Sequence, residues 1–235
     1  VERWIHRLEE EGKELFLTLP RIVRDRALDG RKETFQELVQ KGLGGFLVRN
    51  MESYGILDTM GLTSRIVLDA NIYTMNNRAE AFWMKKGILG DTVPLELNAK
   101  ELVHRNNKNS ELTVYGYTPM MVSVQCVQKT MDHCNHACVQ YVLKDRYQKE
   151  FRGVCSCEFC YNTIYNTLPT SLLKEKEKAE KLGVKAYRLS FTTETQQETE
   201  KIVRAFVDVY LRGQKPDGQM QTEETTKGHF QRGVE

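Results

Sequence analysis

Residues 45–72 read GFLVRNMESYGILDTMGLTSRIVLDANI, and this stretch decides the fold. GFLVR (45–49) is a short apolar run that reads as a buried strand, Met51 to Met60 suits a short helix, and RIVLDANI (65–72) is a second strand. A strand, a helix and a strand in close succession make a parallel βαβ unit. The same alternation extends in both directions. Upstream, Trp4, Ile5, Leu8 and Phe16 fall at helical spacing in an amphipathic helix ending near Gly12. LFLTLPRIV (15–23) follows as a strand with Pro20 at a bulge or strand end, and then a helix containing Thr34 to Val39, closed by Lys41-Gly42.

Downstream, the pattern predicts a helix over Ala79–Lys86 with Gly87 as its C-cap, a strand over Val93–Leu97, a helix over Ala99–Arg105 and a strand over Glu111–Tyr117. Further on come a charged helix over Leu172–Leu182, a strand over Ala186–Phe191 and a long helix over Thr195–Leu211. Ile202, Val203, Phe206, Val209 and Tyr210 share one face of that last helix. From Gly213 the chain is rich in Gly, Gln, Thr and Glu and reads as an extended or disordered tail.

Six strands are predicted, beginning near residues 15, 45, 65, 93, 111 and 186. A closed (β/α)₈ barrel needs eight. The fold expected is therefore α/β, a partial (β/α) TIM-like barrel with a small Cys-rich β-hairpin insertion. Its parts are a barrel portion at 1–125, a metal-binding insertion at 126–170, a final β/α unit at 171–212 and a tail at 213–235. The two missing strands are expected upstream of Val1, in a longer protein. Alone, this piece would present open sheet edges, which favour dimerisation or aggregation. A Rossmann-like sheet is the competitor, but no GxGxxG follows any strand.

Composition narrows the function only coarsely. Of 235 residues, 40% are hydrophobic and 28% charged, as in globular proteins generally. A formal net charge of +2 gives no argument for nucleic acid beyond a local patch. No run approaches membrane-spanning length and no signal-like segment opens the chain, so a cytoplasmic location is expected.

All six cysteines lie within 126–160, spaced Cys126-x7-Cys134-x3-Cys138-x16-Cys155-x-Cys157-x2-Cys160. In a reducing compartment such a cluster reads as a metal site rather than a disulfide framework. Cys157-Glu-Phe-Cys160 has the CxxC spacing that lets two sulfurs from one turn grip one metal, with Cys126 and Cys134 as a looser pair. Between the pairs, Tyr141–Asp145 and Lys149–Phe151 read as a hairpin turning at Arg146-Tyr147-Gln148. His133 and His136 are available as nitrogen ligands for zinc. Spacing alone leaves zinc and iron–sulfur equally open, and six thiols exceed four positions by two.

Eight stretches together resemble the collagenase-like peptidase family U32. They are LPRIVRD (19–25), GFLVRNMES (45–53), IVLDANIYTMN (66–76), PLELNAKEL (94–102), VYGYTPMMVSVQC (114–126), CEFCYNTIYN (157–166), YRLSFTTE (187–194) and GHFQRGVE (228–235). The likeness is to the C-terminal part of the long members. It implies a (β/α)-barrel enzyme carrying a [4Fe–4S] cluster on Cys126, Cys134, Cys157 and Cys160, with Cys138 and Cys155 as alternates. The family name implies a peptidase, yet the sequence has neither HExxH nor GxSxG. Relatives in the family include RNA base hydroxylases and proteins that hydroxylate the ubiquinone ring without oxygen. The resemblance thus implies hydroxylation of a base in rRNA or tRNA, with prephenate, a small dicarboxylate, as donor and the upstream domain as a further partner. The alternatives are a peptidase acting on protein substrates, and a structural zinc knuckle without catalysis of its own.

Barrel enzymes work at the C-terminal ends of their strands. The residues expected there are Arg21, Arg24, Arg49, Asn50, Asp69, Asn71, Glu96, Asn98, Tyr115 and Arg188. Arg21, Arg49, Asp69 and Arg188 are the catalytic candidates, because guanidinium forks suit a carboxylate donor or RNA phosphates. Asp69 and Asn71, as alternate residues of one strand, are expected on one face. His229 and Arg232 belong either to a loose end or to a tail folded over the site. Tyr161 and Tyr165 are placed to stack on a base or to pack under the hairpin. The run KEKEKAEK (174–181) reads as a solvated helix face.

Overall fold

A computed structural model describes residues 1–24, 28, 30–131, 134–216 and 224–234, so Asp25 and His133 lie outside the described residues. The chain divides into two compact units, Val1–Pro94 and Leu95–Glu235.

In the first unit, helices and strands alternate as α1 (Glu2–Glu10), β1 (Phe16–Thr18), α2 (Lys32–Gln40), β2 (Gly45–Val48), α3 (Met51–Thr59), β3 (Ile66–Leu68), α4 (Asn77–Lys85) and β4 (Gly90–Thr92). The four strands lie parallel in sequence order, with Phe16 beside Gly45, Phe46 beside Ile66 and Leu68 beside Asp91. Phe46, Val48, Ile66 and Leu68 are all fully buried. Burying one such side chain is worth roughly 1.5–3 kcal/mol. Phe35 of α2 seats its ring 5.3 Å from that of Phe46. Gly45 is fixed by space: a Cβ there would stand 2.3 Å from the Arg65 carbonyl oxygen. The expected α3 and α4 are present, capped by the side chains of Asn50 and Asn76.

Two expectations are corrected here. The strand predicted over Arg65–Ile72 stops at Leu68, because Asp69 turns the chain by capping a 3₁₀ turn over Ala70–Ile72. The strand predicted over Val93–Leu97 lies instead at Gly90–Thr92. Pro94 has no N–H for a ladder, and the true strand was hidden by its polar sequence, although Asp91 and Thr92 are each 1% exposed.

The second unit contains α5 (Ala99–Leu102), β5 (Ser110–Gly116), β6 (Pro119–Ser123), α6 (Val127–Thr130), β7 (Gln140–Lys144), β8 (Glu150–Ser156), β9 (Tyr161–Tyr165), β10 (Thr170–Ser171), α7 (Lys176–Glu180), β11 (Ala186–Ser190) and α8 (Gln196–Phe206). β11 runs parallel to β5 along its length, and β10 pairs antiparallel at its end. The cysteine-bearing stretch builds a separate antiparallel sheet in the order β6-β9-β8-β7. β7 and β8 form a hairpin whose turn is held by the Asp145 carboxylate, which accepts from the Tyr147 and Lys149 N–H groups. α8 opens with a capping box between Thr195 and Glu198 and continues as a π turn over Val207–Leu211. Its Phe206 and Val209 join Leu112, Val114, Leu172 and Leu173 in the core.

The helix predicted over Leu172–Leu182 is broken into a 3₁₀ turn at Leu173–Glu175 and the short α7. Its charged run is not wholly solvated: Glu175 is 8% exposed and is gripped by Lys178 and Lys227. The tail is packed where it is described. Thr226 bridges to Thr170, and Phe230 is 6% exposed. Among the described residues no helix is long and apolar enough to cross a membrane.

Candidate functional site

In the first unit the C-terminal ends of three neighbouring strands converge on Asp69. Its Oδ2 lies 3.9 Å from Arg21 Nη2, just past β1, and 3.8 Å from Arg49 Nε, at the end of β2. Its Oδ1 accepts from the Ala70 N–H at 2.9 Å, which fixes the carboxylate in the turn. Two asparagines stitch the strand ends together. Asn50 donates to the Pro20 carbonyl at 2.7 Å, and Asn71 donates to the Arg49 carbonyl at 2.6 Å. Asn71 Oδ1 is buried and has no hydrogen-bond partner among the described residues. Deeper in the unit, Thr74 donates to Asp91 of β4.

Two guanidinium groups and one carboxylate carry a net formal charge of +1. A unit-charge pair at about 4 Å near a protein surface interacts by about 4 kcal/mol before desolvation is counted. Asp69 therefore holds two like charges close together. Sequence spacing had grouped Asp69 with Asn71 as strand neighbours. The turn places them together by a different route.

Other rim candidates fall elsewhere. Arg188, in the second unit, pairs with Glu111 near the start of β5 rather than at its C-terminal end. Tyr115 is 4% exposed, with its ring against Phe191 and Phe206. Asn98 caps α5. Arg24 is exposed, and Glu96 Oε2 is buried with no hydrogen-bond partner among the described residues. His229 makes a 2.9 Å contact with the Gly233 carbonyl through Nδ1. Tyr161 is 5% exposed and belongs to the packed interior.

The second unit gathers all six thiols, and none is in a disulfide. Cys126 stands at the N-cap position of the short α6, and Cys157–Phe159 form a 3₁₀ turn. Cys160 ends that turn in the left-handed region, at φ 50°, a conformation that costs a non-glycine residue roughly 1–3 kcal/mol. The backbone thus spends strain to face the CxxC pair the way it does. Cys155 is 1% exposed and donates its S–H to Asn162 Oδ1 at 2.9 Å. Asn162 in turn donates to the Gln125 carbonyl at 2.7 Å, which ties β9 to the residue before Cys126. Cys138 donates to the Cys155 carbonyl at 2.9 Å and Cys157 to the Ala137 carbonyl at 2.6 Å.

Burial, then the fields of Cys126 and Cys157, pushes the Cys155 thiol up to about 11. Cys157 is also raised, first by burial and then by Cys138, Cys126, Cys134 and Cys160. The other thiols therefore lie within electrostatic reach of Cys155 or Cys157 and make these two harder to ionise. A cation placed among them would reverse that sign, because a metal-bound thiol gives up its proton. The donor set fits a thiolate-bound metal group in kind and number. Among the described residues, however, no three His, Cys, Asp or Glu side chains stand in a metal-holding arrangement. Cys138, Cys157 and Cys160 instead donate to backbone carbonyls, and Cys155 to the Asn162 amide oxygen.

Residues 1–235 match the sequence profile of peptidase family U32. The chain belongs to this family. No curated protein and no solved structure matches it.

Two features of this U32 chain were not anticipated from sequence. Asn162 sits in an apolar strand, YNTIY, and its burial at 1% exposure could have been suspected only from that isolated amide. Tyr141 was assigned to the hairpin with no role. Its hydroxyl is buried beside the cysteines, and burial, followed by the fields of Cys155 and Cys126, raises its pKa.

Proposed function

We propose that this U32 chain is part of an iron–sulfur enzyme that moves a hydroxyl group from a small dicarboxylate such as prephenate onto a base in rRNA or tRNA. The observation that carries the proposal is the gathering of six thiols, none in a disulfide, in and around one small sheet, with Cys160 held in a strained turn. Cys126, Cys134, Cys157 and Cys160 would hold a [4Fe–4S] cluster, with Cys138 and Cys155 as alternates. Bound there, the cluster would supply a redox-active iron centre for the transfer.

The chain's own residues divide the remaining work. Arg21 and Arg49 bind the donor's carboxylates, for which planar guanidinium forks are suited. Asp69 sets the spacing of the two forks, and Asn50 and Asn71 fix the strand ends that carry them. Asn162 restrains the backbone next to Cys126. Arg188 is engaged with Glu111 and would act by supporting β11 against β5. The cytoplasm is the compartment in which these thiols would remain reduced.

Nucleoside mass spectrometry of total RNA from a deletion strain tests this reading. One hydroxylated nucleoside should disappear, and should return with the full-length gene but not with its Cys157→Ala form. If every hydroxylated nucleoside stays at its original level, the reading is wrong. Peptide hydrolysis that survives Cys157→Ala would favour the peptidase reading instead.

A further inference from the structure

The turn between β7 and β8 is locked from inside. The Asp145 carboxylate accepts from the N–H groups of Tyr147 at 2.8 Å and Lys149 at 2.9 Å. The Asp145 carbonyl accepts from the Gln148 N–H at 3.0 Å, and the Asp145 N–H donates to the Lys149 carbonyl at 3.1 Å. Gln148 completes the turn in the left-handed region, at φ 59°. The stem is anchored by Arg152 of β8. Its Nη1 donates to Thr193 Oγ1 at 2.9 Å, and its guanidinium carbon lies 4.8 Å from the centre of the Tyr117 ring. Tyr117 directly follows β5, and Thr193 lies just past β11. The hairpin is therefore rooted beside the C-terminal ends of those two parallel strands.

What this arm holds out is an aromatic ring and two cations. Tyr147, at 68% exposure, is the most exposed aromatic side chain among the described residues. The Arg146 guanidinium stands over its ring, 4.7 Å from the centroid. The two carboxylates of the hairpin are already engaged, Glu150 with Lys144 across the strands at 3.0 Å and Asp145 with the turn's backbone. Arg146 and Lys149 are exposed and pair with no carboxylate among the described residues. An exposed ring adds nothing to the core, and a locked turn has already lost the conformational freedom that binding would otherwise cost. Every nucleobase offers a face on which such a ring can stack, and flanking cations suit the phosphates on either side.

We propose that the β7–β8 hairpin is an arm that grips single-stranded RNA, with an unpaired base stacked on Tyr147 and the phosphates beside it held by Arg146 and Lys149. The inference rests on the RNA reading given above and adds where the chain takes hold of its substrate. At about 3.4 Å per residue the tip stands roughly 25 Å along β8 from Cys155. The base stacked there is thus a neighbour of the modified one, and the arm acts on binding rather than on chemistry.

The test measures fluorescence anisotropy of a labelled single-stranded RNA of mixed sequence, titrated with the full chain at one fixed salt concentration. Tyr147→Ala should weaken binding roughly 5- to 100-fold, the loss of one stacked base. Tyr147→Trp should keep the affinity, and its added fluorescence should be quenched by the RNA, a signal that a merely structural role would not give. Arg146→Ala and Lys149→Ala should each lower the slope of log affinity against log salt by about 0.7. A duplex of the same sequence, whose bases are already stacked, should bind Tyr147→Ala and the unmodified chain alike. Equal affinity of these two for the single strand overturns the inference while the RNA reading stands, and leaves the tip to a protein partner. An equal loss on the duplex overturns it too, because stacking would not be the cause. If the unmodified chain binds no RNA, the inference and the RNA reading fall together.

Discussion

The strand ends around Asp69 and the sheet around Cys155 are satisfied in opposite ways. At Asp69, hard charges of opposite sign face each other, and asparagine side chains hydrogen-bond to backbone carbonyls to hold the ends of β1, β2 and β3 in place. That site is assembled by the parallel sheet itself. At Cys155, soft groups of one kind crowd together, and burial and the neighbouring thiols raise the cost of ionising Cys155 and Cys157. Their protons are parked on carbonyls and on one amide. The first arrangement pairs opposite charges directly. The second gathers thiols whose crowding makes Cys155 and Cys157 harder to ionise.

The largest effect expected from this contrast is on metal content. Cys157→Ala should abolish iron binding by the full chain while leaving binding of a dicarboxylate such as prephenate intact, read by metal analysis and by calorimetric titration. Joint loss of both would mean that the two groups are not separable in the way their chemistry indicates.

The next effect is a pH dependence of the metal-free chain. Folding raises the Cys155 thiol from 9.0 to about 11, so folding favours its neutral form. The associated stability is complete below pH 9 and is lost as the pH climbs towards about 11. Roughly 2–3 kcal/mol is at stake. Urea midpoints measured across that window should fall, and Cys155→Ala should flatten the slope.

Third, Arg49→Ala should weaken dicarboxylate binding by about 1.5–3 kcal/mol, or roughly 10- to 100-fold, the usual worth of a hydrogen bond to a charged group. Iron content should stay the same. An Arg49→Ala chain that binds the donor normally would remove Arg49 from the anion site and leave the strand-end cluster a structural network.

How much of this the sequence announced follows from the kind of signal each residue gives. GFLV and IVL are apolar enough to declare β2 and β3, and Asn50 and Asn76 sit where helix caps belong. Gly90-Asp91-Thr92 declares nothing, since a strand of glycine and two polar residues has neither apolar content nor alternation, and its burial is decided by its neighbours. The crowding of the cysteines was plain in their numbering. The partner of Cys155 was not, because Asn162 reaches it only through the cross-strand register of β8 and β9. Arg188 shows the reverse case. Its strand was read correctly, yet the strand's register turns its side chain to Glu111. Position along a chain names the strand, and only pairing names the partner.

The smallest effect serves as a yardstick away from both groups. Thr195→Ala removes one half of the α8 capping box and should cost about 1 kcal/mol of stability. Iron content and dicarboxylate affinity should not change, so any shift in either would mean that general loosening of the fold is enough to disturb the sites.

The most direct test of the central claim is metal and acid-labile sulfide analysis of the full chain purified without oxygen. A [4Fe–4S] site predicts about four irons and four sulfides per chain, lost together in Cys157→Ala. Stoichiometric zinc without sulfide, or no metal at all, would contradict it.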